Sequence, residues 1–276
     1  MDIPRFWAQA RSAARTRAGG SFPLLVWGWS SKSADDARDS AQSRLRRVEA
    51  RLEAGETPES YPYGVRPIRE EVTQDLESTD SRAVITRNTY GALILNSAQT
   101  MFIDVDMPEK RGIARLGAIF GRRSREDEVL NHIRAGLGAA PARKFRIYRT
   151  AGGFRVLALD REFDPTASDT EALMKAVGGD PQYIQLCKVQ KSFRARLTPK
   201  PWRCGCSTPP SAFPREDTEA LSTFAAWLQG YEAACAGKAT CRFIEEIGTG
   251  EVVSAVRSIL ECHDRLTRAL EPLPLA

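Results

Sequence analysis

The sequence is poor in the residues from which many catalytic motifs are built. It has only two histidines in 276 residues, His132 and His263. That leaves little room for the multi-histidine metal centres of phosphohydrolases or for a hydrolytic triad, and no Gly-x-Ser-x-Gly elbow is present. No glycine-rich loop ends in Gly-Lys-Ser/Thr, which excludes a P-loop ATPase at the level of motif. Gly248-Thr249-Gly250 reads as a turn before the last helix rather than as a dinucleotide fingerprint. No apolar run approaches the roughly 18 residues of a membrane span. The Arg-rich start lacks the apolar stretch of a signal peptide. The expectation is a soluble, cytoplasmic protein without a membrane partner.

Cysteine is also sparse. Six cysteines at irregular spacing do not make a disulfide scaffold. Neither Cys204-Gly205-Cys206 nor the pair Cys235 and Cys241 matches a structural zinc site well, so zinc is not expected. Cys187 and Cys262 lie among apolar neighbours and read as small buried hydrophobes. His263, on an apolar helical stripe, reads as a packed histidine. Composition is otherwise that of an ordinary globular chain, with 42% hydrophobic and 27% charged residues. A net charge of +5 is compatible with anionic ligands but does not by itself establish nucleic-acid binding.

Three segments are expected: an N-terminal arm, strand and helix over residues 1–80, an α+β core over 81–210, and a C-terminal helical segment over 211–276. Residues 1–20, rich in Ala and Arg, read as a frayed helix or arm, and 22–29 as a strand with its aromatics on one side. Ser33 followed by Asp36 marks a helix start, and Ala37, Ala41, Leu45, Val48 and Leu52 form its apolar stripe. The opposite face carries Arg44, Arg46, Arg47 and Arg51, either simply solvated or an anion-binding surface. Residues 61–67 read as a loop and 82–106 as a three-stranded meander. A basic loop over 108–125 then leads to a helix marked by Val129, Leu130, Ile133 and Leu137. Ala151-Gly152-Gly153 signals a hairpin between two strands, with glycine supplying positive φ. A helix over 169–177, a strand over 192–197, a linker over 208–214 and two amphipathic helices complete the pattern. From Asp104 to Leu197 the order is strand, helix, strand, strand, helix, strand. That is the split βαβ order of a ferredoxin-like fold, an antiparallel sheet in an α+β protein.

The chemistry-bearing stretch is Phe102-Ile103-Asp104-Val105-Asp106-Met107-Pro108. Strand alternation puts Asp104 and Asp106 on one face, with Ile103 and Val105 toward the core. Two carboxylates so close repel unless a cation or base lies between them. A divalent ion, Mg²⁺ or Mn²⁺, is one resolution, and a solvated strand face is the other. Farther on, Gly152-Gly153 reads as a hairpin turn, and Arg194 and Arg196 share one strand face. Arg194 and Arg196 would serve a self-contained ion-pair network with Asp104 and Asp106.

These motifs in this order have a relative. Phe102-Ile103-Asp104-Val105-Asp106 resembles the hydrophobic-Asp-hydrophobic-Asp motif of the archaeo-eukaryotic primase and primase-polymerase superfamily. Tyr148-Arg149-Thr150-Ala151-Gly152-Gly153-Phe154-Arg155-Val156 is similar to its second motif, and Asp180 with the segment from Arg194 to Lys200 to its third. The resemblance covers residues 100–203. It implies a metal-dependent nucleotidyltransferase acting on nucleotide or nucleic acid, possessing a ferredoxin-like core. Asp104 and Asp106 would hold the metal, Asp180 would be a third acidic ligand, Arg155, Arg194, Arg196 and Lys200 would cradle the phosphates, and Gly152 and Gly153 would let backbone approach the ligand. Arg155 stands where the superfamily has a histidine, and Asp160 and Asp164 compete with Asp180 for the third acidic position. Two alternatives stay open: a non-catalytic nucleotide- or nucleic-acid-binding module, and a structural or partner-binding protein with a self-paired charge cluster.

Overall fold

The computed structural model describes residues 1, 3–15, 21–56, 67–76, 82–108, 125–138 and 143–276. The loop expected over 61–67 falls outside them except for Pro67, and most of the loop expected over 108–125 lies outside them too. Strands β1 (Phe6–Arg15) and β2 (Ser21–Ser30) form an antiparallel ribbon, so residues 6–15 are a strand and not the frayed helix or arm expected. The period-two signal was there, with Ala8 and Ala10 on the face packed by the helix that follows and Trp7, Gln9 and Arg11 on the other, where Trp7 is buried against Trp29. An Ala- and Arg-rich composition favours helix and hid it. Helix α1 (Ala34–Glu53) begins at Ser33, whose hydroxyl accepts from Asp36 N at 3.1 Å. It lies close on the ribbon because Gly28 has no side chain: a Cβ there would come within 2.1 Å of Ala41 N. Ala8, Ala10, Val26, Ala37, Ala41 and Leu45 make a small core of their own.

The remaining strands are β3 (Glu71–Asp75), β4 (Ala83–Arg87), β5 (Leu93–Ser97), β6 (Phe102–Asp106), β7 (Phe145–Thr150), β8 (Gly153–Ala158), β9 (Phe193–Arg196) and β10 (Cys241–Ile247). Between them run α2 (Arg125–Gly138), α3 (Ser168–Ala176), α4 (Pro181–Gln190), α5 (Thr218–Cys235) and, last, α6 (Ser254–Thr267). The fold is α+β with antiparallel sheets. One sheet has the order β10-β7-β8-β6 and a second β3-β4-β5-β9. In the first, β8 lies between β6 and β7 and antiparallel to both, which is the split βαβ arrangement. Apolar side chains of β6, β7 and β8, among them Phe102, Ile103, Val105, Ile147, Phe154 and Val156, pack with Ile133, Met174, Ile184 and Ile259 from the helices. Among the described residues no helix is long and apolar enough to cross a membrane.

Two connections differ from expectation. The meander over 82–106 has only two members, β4 and β5, because β6 leaves to pair with β8. Strand β9 ladders with β5 rather than with β6. A tyrosine explains the separation: the Tyr183 hydroxyl donates to Phe102 O at 3.0 Å on β6 and accepts from Arg194 N at 3.1 Å on β9. A side chain from α4 thus satisfies backbone groups that a ladder bond would otherwise join. The segment 211–276 is not wholly helical, since β10 lies within it and extends the core sheet along β7.

Candidate functional site

The ends of β6 and β8 face the segment after β9 across a cleft of about 110 Å³. Asp104, Asp106, Gly152, Arg155, Arg196 and Lys200 all line it, together with Arg203 and Thr150. Six of the nine residues singled out in the sequence therefore converge. Asp104 and Asp106 sit on one face of β6, opposite Arg155 and Gly153 in the register with β8. Gly153 is needed for close approach, not for positive φ: a Cβ there would lie 2.0 Å from Val105 O. Neither Gly152 nor Gly153 is among the glycines at positive φ.

Arg155 is 3% exposed and held through its Nε and Nη1. Its Nε donates to Asp104 Oδ1 at 2.9 Å and its Nη1 to Arg196 O at 2.9 Å. Behind it, Nη1 faces His263 Nε2 at 3.4 Å. A guanidinium only donates, so Nε2 accepts and the ring proton lies on Nδ1, toward Asp264 Oδ1 at 3.0 Å. Burial holds His263 below the ordinary imidazole pKa, consistent with a neutral ring. Asp264 in turn accepts from the Tyr148 hydroxyl at 2.7 Å and from Arg146 at 2.6 Å. His263 is thus the packed histidine expected, and its role is to back Arg155.

The other charges at the cleft are less well answered. Arg196 Nη1 is buried and has no hydrogen-bond partner. Burial, then the charge of Arg155, lowers the Arg196 pKa. Burial, then Arg196 and Arg203, does the same to Lys200. On the acidic side, burial followed by the charges of Asp180 and Asp104 raises Asp106 above the ordinary carboxylate value. The cleft crowds like charges of both signs.

Arg194, Asp180 and Gly153 do not line it. Arg194 turns into a closed, buried network, donating to Glu70 Oε1 at 2.7 Å, Asn96 Oδ1 at 2.7 Å and Gln190 Oε1 at 2.9 Å. Its carboxylate partner is Glu70 on the β3 side, so it does not pair with the aspartates of β6. Asp180 caps α4, accepting from Gln182 N at 3.1 Å and Tyr183 N at 3.2 Å, while its own N–H donates to Asp104 O at 2.9 Å. Its charge reaches Asp106, but both its oxygens already serve the helix. Among the described residues no group of three or more His, Cys, Asp or Glu is placed to hold a metal ion. Two carboxylates remain a fitting seat for Mg²⁺, which commonly takes one or two of them and completes its shell with water and substrate phosphate.

Sequence reasoning passed over Arg203. Its signal was the spacing from Lys200 across Pro201: residues three apart align on a 3₁₀ turn, and Pro201–Arg203 is one. Thr240, which also lines the cleft, arrives from the start of β10 and had no local signal. No family model matches the chain, and neither does any curated protein or solved structure.

Proposed function

We propose that this cleft binds the phosphates of a nucleotide or nucleic acid and, with a divalent cation on Asp104 and Asp106, carries out nucleotidyl transfer of the primase-polymerase kind. The observation that carries the reading is the gathering of Arg196, Lys200 and Arg203 beside the two aspartates in one open cleft. Phosphate oxygens would supply the acceptors that the buried Arg196 Nη1 lacks, and charge-assisted bonds of this type are the strong ones. A divalent ion would offset the burial and the neighbouring charges of Asp180 and Asp104 that raise the Asp106 pKa. Held by Asp104 and Asp106, such an ion would supply stabilisation of the charge that develops in phosphoryl transfer. The chain's own contribution is to hold Asp104 in place through Arg155, to position phosphate with the three cations, and to bring backbone at Gly152 close to the ligand.

A second reading is favoured by one observation. The Arg155–Asp104 ion pair, at 2.9 Å, already neutralises the first aspartate and would let the cleft bind phosphate with no metal at all. Calorimetric titration of a nucleoside triphosphate separates the two. Nucleotidyl transfer predicts binding about tenfold tighter with Mn²⁺ than in EDTA, and loss of that gain in Asp106→Asn. Equal binding in EDTA and in Asp106→Asn would select the non-catalytic module. Absence of triphosphate binding under every condition would overturn both.

A further inference from the structure

The cleft has room for phosphate and not for a nucleoside: about 110 Å³ falls well short of the roughly 300 Å³ and upward of pockets that enclose small organic ligands. A base attached to phosphates held there must lie outside, and the surface beside the cleft carries two exposed aromatic rings. Trp202 is 49% exposed and Tyr90 46%. They meet edge to face, with centroids 5.3 Å apart and planes at 87°. Lys200, which lines the cleft, also lies over the Trp202 ring at 5.4 Å. The same lysine borders the phosphate site and the rings.

Local geometry makes this arrangement firm. Lys200-Pro201-Trp202-Arg203 closes as a turn, with Arg203 N donating to Lys200 O at 2.9 Å. The turn sends Lys200 and Arg203 into the cleft and leaves the intervening Trp202 outward. Tyr90 sits on a second tight turn, where the Asn88 side-chain oxygen accepts from Tyr90 N and Ala92 N, each at 3.0 Å. Gly91 takes a φ of +85°, and a Cβ there would collide with the Trp227 ring at 2.1 Å. Trp227 is itself anchored, donating from Nε1 to Ser207 O at 3.0 Å and stacking on Tyr231 at 5.1 Å. The Trp227–Tyr231 stack therefore backs the turn that carries Tyr90, and Tyr90 and Trp202 each keep close to half of their surface open beside the cleft.

Resting on the phosphate reading above, we infer that Trp202 and Tyr90 form a base-stacking platform, and that the ligand is a single-stranded nucleic acid whose phosphates enter the cleft at Lys200. Aromatic faces accept any base, and cationic grooves beside them track the backbone. A duplex keeps its bases stacked internally and has none to offer the platform. The platform thus sets the substrate class, single strand over duplex, and leaves base identity unread.

The test compares two probes on the full chain. One is a fluorescently labelled oligothymidylate single strand, read by anisotropy, and the other is inorganic pyrophosphate, which has no base, read by calorimetry. Trp202→Ala is expected to weaken strand binding about tenfold, with Tyr90→Ala weaker in effect and Trp202→Phe restoring most of the loss. Pyrophosphate affinity stays unchanged in all three variants, and the duplex form of the strand is bound more weakly and indifferently to Trp202→Ala. Strand affinity unaltered by Trp202→Ala would overturn the platform while leaving the phosphate site standing. So would parallel loss of strand and pyrophosphate, since Trp202 would then act only by holding Lys200. Failure of wild-type protein to bind either probe would remove the phosphate reading and the platform with it.

Discussion

Asp106 and Arg196 lie at one cleft, and each carries charge that its surroundings do not balance. For Asp106 this has a consequence for stability. Burial, then Asp180 and Asp104, raises its pKa in the folded chain above the unfolded value. The folded protein therefore keeps the Asp106 proton to higher pH than the unfolded one. The stability so gained is fully present below the unfolded pKa and is lost as pH rises through the folded pKa. At neutral pH the charged carboxylate is a net cost, and Asp106→Asn is expected to be more stable than wild type by roughly 0.5 kcal/mol, a small figure because solvent screens an exposed carboxylate. The gap should close below the ordinary carboxylate range. Thermal unfolding of the two proteins at both pH values measures it, and a less stable Asn variant at neutral pH would contradict the electrostatic account. Such a variant, stabilised yet weaker in Mn²⁺-dependent binding, is what a residue kept for function produces.

At the scale of elements, the site depends on how tightly β6 lies against β8. The adjacent glycines of the turn make opposite predictions. A Cβ on Gly153 would lie 2.0 Å from Val105 O and 2.9 Å from Asp106 Cα, both backbone atoms that cannot yield without shifting β6. One on Gly152 would meet nothing nearer than Arg203 Nη2 at 3.6 Å. Gly153→Ala is therefore expected to cost about 2 kcal/mol or more and to weaken triphosphate binding, and Gly152→Ala to leave stability unchanged. Denaturant unfolding and calorimetry of the pair check this, and equal effects would refute it. The same elements mark what could be read in advance. Alternation and turn signals located β6, β7, β8 and the strand of Arg196, because each is governed by near neighbours in the chain. The partners of those strands are not. That β9 ladders with β5 depends on Tyr183 reaching across from α4, a helix absent from the sequence reading, so that its cap Asp180 carried only the ligand role implied by the resemblance. The hairpin glycines were legible, and the reason for Gly153 was not, since close approach to Val105 O exists only after β6 and β8 pair.

Across the whole molecule, two arginines of one strand, two residues apart, show how charge is divided. Arg194 enters a saturated network that ties β9 to β5 and, through Glu70, to Thr86 of β4. Every charge in it has a buried partner, so it specifies structure. Arg196 ends in the cleft with Nη1 unpartnered, beside Lys200 and Arg203. Their shared spacing hid the difference, because alternation assigns a face and not the partner waiting on it. The central claim is that the open cluster, and not the closed one, receives phosphate. Its most direct measurement is calorimetric titration of a nucleoside triphosphate into wild type, the Lys200→Ala/Arg203→Ala double variant and Arg194→Met, each below its own unfolding transition. The account predicts at least about tenfold weaker binding in the double variant at unchanged melting temperature. Arg194→Met should bind as wild type does while losing about 3 kcal/mol of stability, because Glu70 is left buried and unpaired. Undiminished affinity in the double variant, or affinity lost only when Arg194 is replaced, would contradict it.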